Sequence, residues 1–290
     1  MTWSRFDARE LRLHYLDEGH AGQPAVIALH GWPDAPQTWR HLLPALRAAG
    51  YRVITPYLRG FGPNRFHDPA RRSGQLSAIA DDIRQLADHL GLERFSVVGH
   101  DWGARCAYIL SALYPQRVVR AVAMSAPYAP GVPLSWEQTQ AYWYQWYMST
   151  RQGRQAVEAQ REVFCRELWR RWSPQWAFAD EDFAPALAAM DNPDWAQVTL
   201  HSYTQRWGNA EADPGCAELE TRLAASPQVK VPCLIIHGQA DRCNLAEGFH
   251  DLHAFTGGVE RLELPGVGHF PQHEARETVN QAIERWLGQA

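Results

Sequence analysis

The chain of 290 residues has no apolar run of about 18 residues, so no segment qualifies as a transmembrane helix. It also has no basic excess: 28 Lys and Arg stand against 32 Asp and Glu, a formal net charge of -4. A dedicated nucleic-acid binder concentrates positive charge. Here Arg151 with Arg154, and Arg166 with Arg170 and Arg171, are interspersed with acids, as on a solvated helix face. Cysteine is sparse. The five, at 106, 165, 216, 233 and 243, form an odd set with no Cys-x-x-Cys spacing, the pattern of reduced thiols in a cytoplasm. The first ten residues hold no apolar stretch of signal-peptide type, which supports the same cytoplasmic expectation. Zinc-ligand spacing, G-x-G-x-x-G and a phosphate loop are all missing, so neither a metal nor another cofactor is expected. There is no internal repeat.

What is present reads as a globular α/β chain. A chain of this length buries roughly three quarters of its unfolded surface and needs no covalent staple. Short apolar runs alternate with helical patterns, the signature of a mostly parallel, doubly wound sheet. Strands are expected at Leu11–Leu16, Ala25–Leu29, Arg52–Thr55, Phe95–Val98, Val119–Met124, Cys233–Ile236 and Arg261–Leu264. Ser77 is expected to cap a helix with Ile79, Ile83, Leu86 and Leu90 on one face, closed by Gly91. A final helix carries Val279, Ile283, Trp286 and Leu287 at helical spacing. Between about Tyr128 and Ser226 the strand pattern stops, and this stretch holds eight of the 13 tryptophans. The expected organisation is therefore a core over 1–127, an inserted helical lid over 128–226, and a second core part over 227–290. Ligands of open α/β sheets bind beyond the carboxyl ends of the strands, where such a lid would close.

Chemistry-bearing residues fall at those strand ends. Gly99-His100-Asp101-Trp102-Gly103 follows a strand and opens a helix, with the G-x-nucleophile-x-G spacing of a nucleophile elbow and Asp in the middle. Asp241 and His269 follow two later strands, giving the chain order nucleophile, acid, His. His269 is preferred over His273 because glycine flanks it directly after the last strand. His30-Gly31-Trp32-Pro33 follows another strand, where an oxyanion-hole loop belongs, and the amides of Trp32 and Trp102 are the expected donors. His30 and His100 are expected to act as hydrogen-bonding supports. Asp241 alone could also be a helix N-cap.

A carboxylate nucleophile selects a particular chemistry. Carboxylates are ionised at neutral pH without a base. They can displace a leaving group from a saturated carbon to give an alkyl-enzyme ester. Water then cleaves the ester at the Asp101 carbonyl, with His269 as base and Asp241 orienting it.

The sequence resembles the α/β-hydrolase superfamily over nearly its whole length, in the branch with an aspartate nucleophile. His30 to Pro33, Arg59-Gly60-Phe61-Gly62 and the Asp101 elbow look most like epoxide hydrolases. The resemblance implies an enzyme that opens a small apolar or aromatic epoxide to a vicinal diol. It implies ring-opening tyrosines in the lid: Tyr144, in Tyr144-Gln145-Trp146-Tyr147, and Tyr203, in His201-Ser202-Tyr203. Trp102, Trp143 and Trp146 are candidate substrate contacts, although the last two, three apart, could simply pack the lid onto the core, with pocket lining as the lesser reading. Haloalkane and haloacetate dehalogenases have similar elbows and provide the alternative, with the Trp102 indole as halide donor. Only Arg105 matches the paired arginines of haloacetate dehalogenases. A binding protein that keeps the fold without turnover is the third reading.

Overall fold

The computed structural model describes residues 2–289. Among them nine strands form one sheet: β1 (Ser4–Asp7), β2 (Leu11–Glu18), β3 (Ala25–Leu29), β4 (Arg52–Pro56), β5 (Arg65–Phe66), β6 (Phe95–His100), β7 (Val118–Met124), β8 (Cys233–Gly238) and β9 (Val259–Leu264). The order is β1-β2-β4-β3-β6-β7-β8-β9, with β5 paired to β2. From β4 to β9 along that order every pairing is parallel, and β1, β2 and β5 pair antiparallel. The seven expected strands are all present. β1 and β5 were not foreseen, because both are short, largely exposed and without a run of apolar residues.

The central strands are buried on both faces, which explains their continuous apolar runs. In β3, Val26 and Ala28 join a cluster with Leu43 and Leu46 of α1 (Leu43–Ala48) and with Val279 and Ile283 near the C-terminus. Ile27 and Leu29 face the other way, toward Ile79, Ile83 and Leu86 of α2 (Leu76–His89) and Tyr108 of α3 (Trp102–Leu113). Gly91 takes φ +66 just past α2, as a C-terminal glycine should. Ser77 corrects the expectation. It lies inside α2, whose N-cap is Gln75, and its hydroxyl donates to Glu220 instead of capping.

Seven helices separate β7 from β8: α4 (Trp136–Ala141), α5 (Trp143–Tyr147), α6 (Arg151–Ala159), α7 (Arg161–Trp172), α8 (Asp180–Met190), α9 (Trp195–Arg206) and α10 (Ala217–Ala225). α11 (Pro271–Glu274) and α12 (Arg276–Leu287) follow β9. All five cysteines are free and buried. Among the described residues no helix is long and apolar enough to cross a membrane.

The strand order places the site. β3 leads to β4 on one side, and β6 then joins β3 on the other. The loops leaving β3 and β6 therefore diverge, opening the crevice in which α/β sheets bind ligands. Trp32 leaves β3 and Asp101 leaves β6.

Candidate active site

Asp101 sits between β6 and α3 at φ 50, ψ −109, a conformation that costs a non-glycine residue roughly 1–3 kcal/mol. Hydrogen bonds over-determine it. The Asp101 N–H donates to Met124 O, and Asp101 O accepts from Arg105 N–H, both at 3.0 Å. The flanking glycines let the backbones close in: a Cβ on Gly99 would lie 2.2 Å from Gly103 O, and one on Gly103 2.2 Å from Leu29 O. The tight turn thus holds the Asp101 side chain over the sheet edge.

The other sequence-selected groups converge on it. Trp32 N–H donates to Asp101 Oδ1 at 3.0 Å. Trp102, as the first residue of α3, has an amide N–H with no intrahelical acceptor. His269 Nε2 lies 3.8 Å from Asp101 Oδ2 and has no hydrogen-bond partner among the described residues. Its Nδ1 is 2.8 Å from Asp241 Oδ2. Asp241 Oδ1 accepts from the N–H groups of Cys243 and Asn244 at 2.6 and 3.0 Å, so this carboxylate both shapes its own loop and orients the imidazole. Burial alone would lower the His269 pKa. The charge and hydrogen bond of Asp241, with the charge of Asp101, outweigh burial and hold it above the ordinary imidazole value.

His30 and His100 support the loops. Leu58 N–H donates to His30 Nε2, and His30 Nδ1 meets Gly31 O, fixing the neutral ring. His100 Nε2 donates to His269 O at 2.7 Å.

Tyr144 and Tyr203 are both buried, with ring centroids 5.5 Å apart. Trp102 Nε1–H donates to the Tyr203 hydroxyl at 3.1 Å, and Gln145 Nε2–H donates to the Tyr144 hydroxyl at 2.8 Å. Each phenol accepts a hydrogen bond, so its own proton can be donated elsewhere. Burial raises both pKa values well above the ordinary phenol, which keeps those protons in place.

Trp143 and Trp146 have packing contacts of their own. Trp143 is 37% exposed and packs on Tyr147 and Phe164, and Trp146 packs on Trp207 with its N–H on Thr139 O. α5 buries Tyr144 and Gln145 and leaves Trp143 and Trp146 partly exposed. Trp32, Trp102 and Trp172 wall the site instead. Trp172 lies 4.9 Å from the His269 ring and 5.1 Å from Tyr144, centroid to centroid.

Trp172 was missed in the sequence, and so were the groups that shape the His269 turn. Glu274 accepts from Gly268 N–H, Phe270 N–H and the Ser173 hydroxyl, while Ser173 Oγ accepts from His269 N–H. Asp34 was also missed. Its Oδ2 is unpartnered 4.0 Å from His100 Nδ1, and burial pushes its carboxyl up to about 7. Of these, only Asp34 carried a sequence signal, as an acid directly after His30-Gly31-Trp32-Pro33, and that signal is not specific to a role.

A family model for the alpha/beta hydrolase fold matches residues 24–275. Epoxide hydrolase B of Mycobacterium tuberculosis is 32% identical over 166 residues, 51% of this chain and 46% of that protein. The chain thus spans about half the length of that curated relative. An epoxide hydrolase of Caballeronia sordidicola is 29% identical over 307 residues, covering 96% of this chain and 91% of that one. Among solved structures, a Klebsiella pneumoniae protein provisionally designated an epoxide hydrolase superposes with a TM-score of 0.90 at 36% identity, over 98% of this chain and 97% of that one. Epoxide Hydrolase A of Mycobacterium thermoresistibile, at 23% identity and a TM-score of 0.75 over 99% and 98% of the two chains, shares the fold.

Proposed function

The chain belongs to the α/β-hydrolase family and is an epoxide hydrolase-like enzyme, and from that premise we propose that it opens an epoxide with water to a vicinal diol through an ester on Asp101. The observation that carries this reading is the two-sided grip on one carboxylate: Trp32 N–H on Oδ1, and His269 Nε2 facing Oδ2 with Asp241 behind the ring.

In this reading Asp101 Oδ2 attacks an oxirane carbon and the carbon–oxygen bond breaks. Tyr144 and Tyr203 donate to the departing alkoxide, and their raised pKa values keep them loaded for that task. The 3.8 Å between His269 Nε2 and Asp101 Oδ2 suits a water held by the imidazole. His269 deprotonates it, the hydroxide adds to the Asp101 carboxyl carbon, and the oxyanion draws on the amides of Trp32 and Trp102. Collapse releases the diol as the added hydroxyl's proton passes to the departing ester oxygen, which restores the carboxylate, and the proton on His269 returns to the tyrosinate.

The helices over 128–226 act as the lid that supplies both tyrosines, over a core built from 1–127 and 227–290. Trp32, Trp102 and Trp172 favour an apolar or aromatic substrate. Halide displacement is the weaker reading, because the Trp102 indole N–H donates to Tyr203.

The test scores diol and free halide together from styrene oxide, a chlorinated alkane and fluoroacetate. The expected result is diol alone, with the Asp101→Ala variant losing activity by at least about 10⁴-fold. Halide without diol would transfer the function to dehalogenation. Diol formation surviving in the variant would remove Asp101 from the mechanism.

A further inference from the structure

Beyond the triad and the tyrosines, two arginines have no carboxylate partner among the described residues. Arg105 lies one helical turn after Asp101 in α3, and Arg206 is the last residue of α9. Both are partly buried; the fully buried guanidinium among the described residues, that of Arg59, is held by Asp82 and Glu10. Arg105 reaches only the Tyr142 hydroxyl, at 3.4 Å, and Arg206 Nη2 is buried with no hydrogen-bond partner. Neither forms an ion pair among the described residues. Burial first, and then the charge of Arg105, push the Arg206 pKa below its ordinary value, which is the mark of a cation without its counter-charge.

Both line a cavity of about 340 Å³ between the inserted helices and the core, together with Pro127, Leu134, Tyr142 and Trp207. Its two acids are already engaged: Glu247 accepts from the Ser135 hydroxyl, and Asp251 from His253. A second depression of about 310 Å³ shares the two arginines, and there Glu220 accepts from Ser77 and Gln75. The arginines also adjoin the reaction site. Arg206 stacks 5.0 Å from the centroid of Tyr203, whose hydroxyl meets the Trp102 indole beside Asp101.

We propose that Arg105 and Arg206 form an anion subsite for a carboxylate on the far end of the substrate, so that the preferred epoxide is an apolar molecule bearing one carboxylate. A guanidinium fork matches a carboxylate in geometry and charge. The two acids of the same cavity, each bonded to a neighbour of its own, offset part of the local positive charge, which favours a monoanion over a phosphate dianion. The apolar wall of the cavity, Pro127, Leu134, Tyr142 and Trp207, would take the apolar body, and Arg206 against Tyr203 joins this end to the reacting one. This inference rests on the epoxide reading for the identity of the reacting end, and the anion site is tested apart from it.

Calorimetry on the intact protein compares benzoate with benzamide, equal in shape and different in charge. Benzoate is expected to bind about tenfold more tightly or better, and Arg206→Met to remove the difference, while Arg206→Lys restores part of it. In turnover, the ratio of kcat/KM for the para-carboxylate of styrene oxide over styrene oxide itself should favour the anion by a similar factor and fall toward parity in Arg206→Met. Equal binding of benzoate and benzamide by the unaltered protein overturns the subsite whether or not any variant folds. So does tight benzoate binding that Arg206→Met leaves intact. Benzoate binding without turnover of either epoxide keeps the subsite and removes the epoxide reading. Turnover of both epoxides at equal kcat/KM, without a benzoate preference, does the reverse.

Discussion

His269 shows how one residue is tuned by competing environments. Burial favours the neutral ring and Asp241 favours the charged one, and Asp241 wins. A general base must be neutral to accept a proton, so kcat is expected to fall on acidification through an apparent pKa above 6.5. Asp241→Asn removes the opposing charge and should move that inflection downward while lowering kcat. A pH–rate profile unchanged in the variant would disconnect Asp241 from the base. The tyrosines act at the same scale. Because each donates to the alkoxide, Tyr203→Phe and Tyr144→Phe should each slow ring opening, and the double variant should lose about 10²–10⁴-fold in pre-steady-state ester formation. Diol formation at the unaltered rate in the double variant would exclude both.

At the scale of elements, the elbow is the part that residue type spells out. Its turn needs backbone to touch backbone, a demand that only glycine meets, and Gly99 and Gly103 therefore stand in the sequence as a pattern. Gly103→Ala is expected to cost roughly 3 kcal/mol, because its Cβ meets a main-chain oxygen that no rotamer change can move. An unchanged denaturation midpoint would show that α3 can lift off β3 freely. Trp172 was not legible for the opposite reason. α7 buries Phe164, Cys165, Leu168, Trp169 and Trp172 together, and periodicity marks all of them as inward-facing. Which of them meets His269 rather than the core depends on how α7 is docked, a distance set by residues far away in the chain. The same limit holds for Trp143 and Trp146, one and two residues from Tyr144 on the short α5, where the docking of the helix decides which side faces in. The short edge strands β1 and β5 escaped because their stability is borrowed from β2.

The whole molecule carries its own pH signature. His30 and His273 are buried neutral, with burial lowering their pKa values to about 4 and about 3. His30 accepts a hydrogen bond from Leu58 N–H that protonation would break, and His273 Nε2 lies 2.9 Å from the Thr38 hydroxyl. Both folded values lie below the ordinary 6.5, so their contribution is complete above that pH and is lost as the pH falls toward the folded values. For His30 alone that amounts to roughly 3 kcal/mol by pH 4. Calorimetry should show Tm declining from pH 6.5 downward, with His273→Gln flattening part of the slope. A Tm constant over that range would contradict the neutral assignment.

The placement of the inserted helices between two adjacent parallel strands has a consequence for how the chain is born. β7 is synthesised early, but its neighbour β8 emerges only after all seven intervening helices. Until then the nascent sheet presents β7 as an unpaired apolar edge, the kind of surface that invites association between chains. Asp101 and Trp32 are already on the ribosome's product at that stage, whereas Asp241 and His269 arrive behind β8 and β9. Closing the sheet and completing the reactive centre are thus one late event, and a chain stalled before it is both inert and adhesive.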